Sequence, residues 1–173
     1  MKGQAMLKGA RKDKPTVTAN GMQLRRLLSG VEIREVRNIV TRNGLTTEVY
    51  RSDWKSGDPP VAQALYVSLR PGAISAWHCH EAQLDRIFVV NGGVKLVLYD
   101  GRDDSSTAGE MNEFFLERAR PTLVTVPPGI WHGLQNLGAV DCAFLNFFDR
   151  VYVHDNPDEW RLPPANDVIP YRF

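Results

Sequence analysis

Four histidines occur in the 173 residues, and three of them fall into two spaced patterns. The first runs Gly72, five residues, His78, one residue, His80, four residues, Asp85, six residues, Gly92. The second runs Pro127, one residue, Gly129, two residues, His132, three residues, Asn136. Imidazoles gathered around a carboxylate are the groups that transfer protons near neutral pH and that ligate divalent metals. His78 and His80 are two apart, so on one strand both rings point to the same face. Asp85 follows near the start of the next strand, Gly92 makes the turn after it, and His132 follows a Pro-Gly break that opens a later strand. If the two hairpins sit side by side in a barrel, these side chains converge on its interior. The plainer alternative is a set of strand histidines hydrogen-bonded in a polar lumen. His154 lies outside both patterns and reads as a surface residue.

The elements that must hold these residues are strands. VEIREV from Val31 alternates apolar and polar residues at period two, as does LTTEVYRSDW after the Asn43-Gly44 turn signal. AQALYVSL, RIFVV, VKLVLYD, TLVTV, HGLQNL, AFLNFF and RVYV continue the series, with Arg70-Pro71-Gly72, Asn91-Gly92-Gly93 and Pro127-Pro128-Gly129 as breaks. EMNEFFLER fits a strand pair or a short helix equally. Many short strands at close spacing with Gly/Pro turns predict a jelly-roll or sandwich barrel. Residues 1–20 read as a loose N-terminal arm, 21–29 as a short helical turn, 21–173 as a single domain, and the Pro-rich stretch from Asn156 as a tail wrapping the outside. Trp77 and Trp131 read as core or rim packing.

Composition bounds the partners. Lys plus Arg is 21 and Asp plus Glu is 20, a net charge of +1. This gives no reason to expect a nucleic acid or a membrane as partner, and no apolar run has spanning length. Cys79 and Cys142, without a secretory leader, read as reduced thiols of a cytoplasmic protein.

The two spaced patterns resemble the paired signature motifs of the cupin superfamily, with Asp85 in place of the usual Glu and Pro121 in place of the first Gly of the second motif. The resemblance implies an all-β, double-stranded β-helix (jelly-roll, RmlC-like cupin barrel). It also implies that His78, His80, Asp85 and His132 could hold one divalent metal, Zn, Fe, Ni or Mn, with no organic cofactor. Asp is one methylene shorter than Glu, and Gln83 or Glu81 could substitute.

A longer resemblance runs from about Thr41 to the end. GLTTEVYRSDW, GAISAWHCH, VVNGGVKLVLYDGR, VPPGIWHGLQNL and AFLNFFDRVY are similar to segments of the dTDP-4-dehydrorhamnose 3,5-epimerase family and its sugar-nucleotide relatives. Carried over, His78 falls on the family's catalytic base, which removes a proton next to the C4 keto group. Its aspartate partner would lie at Asp155 or Asn156, Tyr152 becomes the candidate acid, and Glu48 and Tyr50 match the family's Glu and aromatic residue. The departures are Asn43 and Ser75 for arginines, His80 for a Gln, Asp85 for a Lys and Asn146 for the acid Tyr. Arg86, Lys95 and Arg102 could supply charge from new positions. The family's 3,4-ketoisomerase relatives carry a His-x-His at the same place. The expected substrate-binding set is therefore Glu48, Arg86, Arg102 and Asn146, the expected substrate a nucleotide sugar, and the expected assembly a homodimer. The leading reading is a dTDP-4-keto-6-deoxy-sugar epimerase or isomerase. The alternatives are a metal-dependent cupin, oxygenase or isomerase, on another small molecule, and a ligand-binding cupin without catalysis.

Overall fold

The computed structural model describes residues 7–20, 24–55 and 57–173. Twelve strands are present among them and no helix: β1 (Glu32–Glu35), β2 (Asn38–Thr41), β3 (Gly44–Thr47), β4 (Gln63–Leu69), β5 (Ile74–Cys79), β6 (Asp85–Asn91), β7 (Gly93–Asp100), β8 (Met111–Glu117), β9 (Thr122–Val126), β10 (Ile130–Asn136), β11 (Cys142–Phe148) and β12 (Trp160–Arg161). One antiparallel sheet has the order β1-β9-β6-β11-β4, the other β12-β5-β10-β7-β8, and β2-β3 form a separate hairpin. The jelly-roll barrel expected from the strand spacing is the architecture found.

Period-two patterning builds the interior. Ile87 and Val89 on β6, Leu96 and Leu98 on β7, Val124 on β9, Ile130 on β10 and Phe144 on β11 join Leu28 in one buried cluster. Each such side chain contributes about 1.5–3 kcal/mol by leaving water. The outer face of the second sheet is covered as well. Trp77 and Val97 are packed there with Ile169, Tyr171 and Phe173 of the C-terminal tail, so the tail does wrap the barrel. Gly92, at φ +72°, makes the turn between β6 and β7. A Cβ there would sit 2.8 Å from that of Cys142, so both conformation and space call for glycine.

Several local expectations are corrected. EMNEFFLER is the single strand β8. The strand expected through Trp54 ends at Thr47, and RVYV forms no strand. Residues 50–55 instead lie over the first sheet, where Tyr50 stacks on Phe147. The helical turn expected over 21–29 is absent from residues 24–29, while 21–23 lie outside the described residues, as do the first six residues of the expected arm. There Leu28 is 1% exposed and its N–H is held by Asn112. Strand β2 was not anticipated. Both cysteines are buried and free. No helix of the described residues is long and apolar enough to cross a membrane.

Candidate active site

The inward rows of four strands each carry a polar residue, and these four face one cavity. Asp85 precedes Ile87 and Val89 on β6, and Asn146 lies between Phe144 and Phe148 on β11. His132 lies between Ile130 and Leu134 on β10, and His78 sits directly across from His132 on β5. The rings of His78 and His132 stack at 5.7 Å between centroids, and those of His80 and His132 lie 5.5 Å apart. They line a cavity of about 390 Å³ with Ser75, Gln83, Leu134, Tyr152, Glu159 and Arg161.

Register explains Ser75. Between the pairs His132↔His78 and Leu134↔Ser75, β10 advances two residues and β5 three. The extra residue is a bulge, which re-aims side chains on the strand that carries it. Residues three apart, Ser75 and His78, therefore both reach the lumen, and Ser75 Oγ lies 3.0 Å from His78 Nε2.

The C-terminal segment completes the site. The Asp158 carboxylate accepts the backbone N–H groups of Glu81, Ala82 and Gln83 at 2.7, 2.9 and 2.9 Å. Burial pushes its carboxyl up, but these three donors outweigh burial and hold it below the usual carboxylate range. Thus clamped, the segment delivers two groups to β5. Glu159 Oε1 lies 2.9 Å from His78 Nδ1, and the Asp158 carbonyl accepts from His80 Nδ1. β12 then pairs with β5, with Arg161 opposite His78. Arg161 Nη2 donates to Glu159 Oε1 at 2.5 Å.

These contacts assign the imidazoles. His78 donates Nδ1–H to Glu159, so its Nε2 lone pair faces the cavity and accepts from the Ser75 hydroxyl. Burial, reinforced by nearby His132, lowers the affinity of His78 for a proton against the opposing pull of Glu159. A neutral imidazole backed by a carboxylate is a proton acceptor poised to be stabilised once charged. His132 Nδ1 is 3.2 Å from the Ile130 carbonyl. Hydrogen bonds from Nδ1–H to carbonyls leave Nε2 of both His80 and His132 directed at Asp85, 3.6 and 3.4 Å from Oδ2.

Asp85 is 1% exposed. Its other contacts are Gln83 Nε2 at 2.8 Å and Asn146 Nδ2 at 3.0 Å. Burial raises its pKa, but His132 and His80 outweigh burial and hold it far below the usual range. For His80 burial lowers proton affinity, and Asp85 together with the Asp158 carbonyl reverses the sign. Two Nε2 lone pairs facing an ionised carboxylate require a cation among them, a proton or a metal. His80, Asp85 and His132 present ligand atoms all within 4.8 Å of one another, so this donor set fits a divalent ion. His78 is engaged by Ser75 and Glu159 and stands outside that trio.

Of the residues expected from sequence, His78, His80, Asp85, His132, Asn146 and Tyr152 line the one cavity. Asp85 reaches both imidazoles despite its shorter side chain, while Glu81 is exposed. The others lie elsewhere. Asp155 is exposed, and the carboxylate on His78 belongs to Glu159. Glu48 is exposed and paired with Arg51. Arg102 binds Asp100 and the Ser29 carbonyl. Lys95 lies over Tyr171 and Phe173 on the outer face of the second sheet. Arg86, adjacent to Asp85 on a strand, points to the opposite face and donates to the Pro59 carbonyl. Glu159, Arg161 and Asp158 were missed. They sit in an aperiodic stretch whose return to β5 no local pattern announces.

Residues 40–160 match the family described as Polysaccharide biosynthesis C-terminal domain. The chain belongs to this family. It is 32% identical over 134 residues to a protein of Haloferax volcanii named probable low-salt glycan biosynthesis epimerase Agl13, covering 77% of this chain and 86% of that one. Among solved structures, a dTDP sugar isomerase from Desulfovibrio desulfuricans G20 superposes with a TM-score of 0.78 at 25% identity, over 85% of this chain and 94% of that chain. A dTDP-4-dehydrorhamnose 3,5-epimerase from Sulfolobus tokodaii superposes with a TM-score of 0.71 at 25% identity, over 80% of each chain. These similarities bear out the cupin fold and the sugar-nucleotide epimerase likeness read from the motifs.

Proposed function

We propose that this member of the family is an epimerase or isomerase of a dTDP-4-keto-6-deoxy sugar. It abstracts the proton on a carbon beside the C4 keto group, with His78 as base. The observation that carries this reading is the His78–Glu159 pair, 2.9 Å long at the wall of the cavity. The carboxylate fixes the tautomer, offers Nε2 to the substrate and stabilises the imidazolium formed. The names of the relatives supply the substrate class. Tyr152 is the available acid on the cavity wall, and Arg161 at its mouth is the cation best placed for a diphosphate. Asn146 lines the same cavity, its amide nitrogen donating to Asp85 at 3.0 Å. A cytoplasmic homodimer accompanies this reading. The exposed Ile39, Val40 and Leu45 of the β2-β3 hairpin are apolar surface that a second copy would cover.

The test is solvent exchange. Incubation with a dTDP-4-keto-6-deoxy sugar in deuterium oxide is expected to label C3 or C5, read by mass spectrometry, and His78→Ala is expected to abolish labelling. Absence of labelling by the wild-type protein, with divalent metal present, overturns the reading in favour of a binding protein.

The His80, Asp85 and His132 trio favours a second reading, a metal-dependent cupin acting as oxygenase or isomerase on another small molecule. A divalent ion there would stabilise negative charge developing on a substrate oxygen. His80 and His132 would hold it through Nε2, oriented by the Asp158 and Ile130 carbonyls, while Gln83 and Asn146 steady Asp85. Elemental analysis of the purified protein tests it. One tightly held Zn, Fe, Ni or Mn per chain is the supporting result.

A further inference from the structure

Arg86 is 2% exposed on the face of the first sheet opposite the histidine cavity. Its cross-strand neighbours are Thr125 on β9 and Phe147 on β11. Its Nη2 donates to the Pro59 carbonyl at 2.7 Å, and its Cζ lies 5.4 Å from the centre of the Tyr50 ring. Nη1 is buried with no hydrogen-bond partner, and among the described residues no carboxylate pairs with this guanidinium. An enclosed cation with no counter-charge is costly to keep.

Arg86 lines a cavity of about 330 Å³ between the sheet and the overlying segment. Tyr50 and Trp54 form aromatic walls, their rings 6.4 Å apart and inclined at 67°. Arg34 also lines it, its guanidinium 4.7 Å above the Trp54 ring. Other charges there are matched. Lys55 pairs with Glu32 and Asp58, and Arg51 with Glu48 and Asp53. What remains is one buried unmatched cation, a second cation at the wall and two aromatic rings. That combination recognises a single phosphate attached to a flat ring.

We infer that this cavity is a second ligand site, for a nucleoside monophosphate, with the phosphate drawn to the guanidinium groups of Arg86 and Arg34 that line it and the base against Tyr50 and Trp54. The site is separate from the histidine cavity because successive residues of β6 address the two faces, Asp85 inward and Arg86 outward. It does not depend on the epimerase reading.

The test is calorimetric and fluorescence titration of the full chain with adenosine 5′-monophosphate, with inorganic phosphate and adenosine as separate arms. The nucleotide is expected to bind one per chain and to quench tryptophan emission, each half alone binding at least tenfold more weakly. Arg86→Gln is expected to weaken binding by tenfold or more, and His78→Ala to leave it unchanged. Because Arg86 is buried, Trp54→Leu at the half-buried wall serves as a second variant. It is expected to weaken binding and remove the quench while leaving the melting temperature near that of the wild type. The inference is overturned if the nucleotide does not bind at millimolar concentration, or if inorganic phosphate binds as tightly as the nucleotide. It is equally overturned if His78→Ala abolishes binding while Trp54→Leu does not. A dimer that Arg86→Gln dissociates, with no nucleotide affinity in the wild type, would assign the free guanidinium to a second copy and also overturn it.

Discussion

Glu159 and His78 are 81 residues apart in the chain and 2.9 Å apart in the site. Losing the carboxylate while keeping its shape removes the charge that stabilises imidazolium. Glu159→Gln is expected to slow solvent exchange into a dTDP-4-keto sugar by about 10²-fold or more. The measured quantity is the labelling rate at saturating substrate. An unchanged rate would show that the Glu159 carboxylate does not assist His78.

His78 and the His80–Asp85–His132 trio make separable demands. Zinc titration followed by calorimetry is expected to show binding that falls at least about tenfold in both His80→Ala and His132→Ala. His78→Ala is expected to retain it, because its Nε2 is turned to Ser75 and not to the trio. Equal loss in all three variants would mean a site built from three histidines.

Gly133 is a test of packing. A Cβ at this position would meet Ala76 Cβ and Phe173 Cζ, each at 2.6 Å. Ala76 lies on the neighbouring strand β5 and Phe173 in the tail, so neither is free to yield without moving the wall of the site. Gly133→Ala is expected to cost about 1–3 kcal/mol in urea unfolding. A smaller change in the midpoint would show that the tail shifts freely.

Asp100 sets an acid limit on stability. Its side chain is fully buried and accepts from Arg102, Ser105 and Thr107. Burial raises its pKa, but these donors outweigh burial and hold it well below the usual range. The folded value is therefore the lower one. The stability it contributes is fully present above the unfolded value of about 3.9 and is lost as pH falls below it. Asp100→Asn is expected to lower stability at pH 7 and to flatten its dependence on pH below about 4. Parallel curves for variant and wild type would contradict this.

Local alternation already encodes the barrel and the inward histidines. Period-two alternation decides which face each residue takes, and a Pro-Gly or Asn-Gly break decides where a strand turns, so His78, His80, Asp85 and His132 were readable as one lumen set. Whatever depends on register or on an aperiodic segment emerges only in the folded chain. The bulge that brings Ser75 to the lumen inserts one residue into a regular alternation. Glu159 takes the place expected of Asp155 because the Asp158 carboxylate fixes where the returning chain meets β5. Arg86 is turned from the expected sugar-nucleotide site by the same alternation that puts Asp85 in it. Local pattern encodes the face of a strand. The partner across a gap of tens of residues is chosen by hydrogen bonds and burial that exist only once the chain has folded.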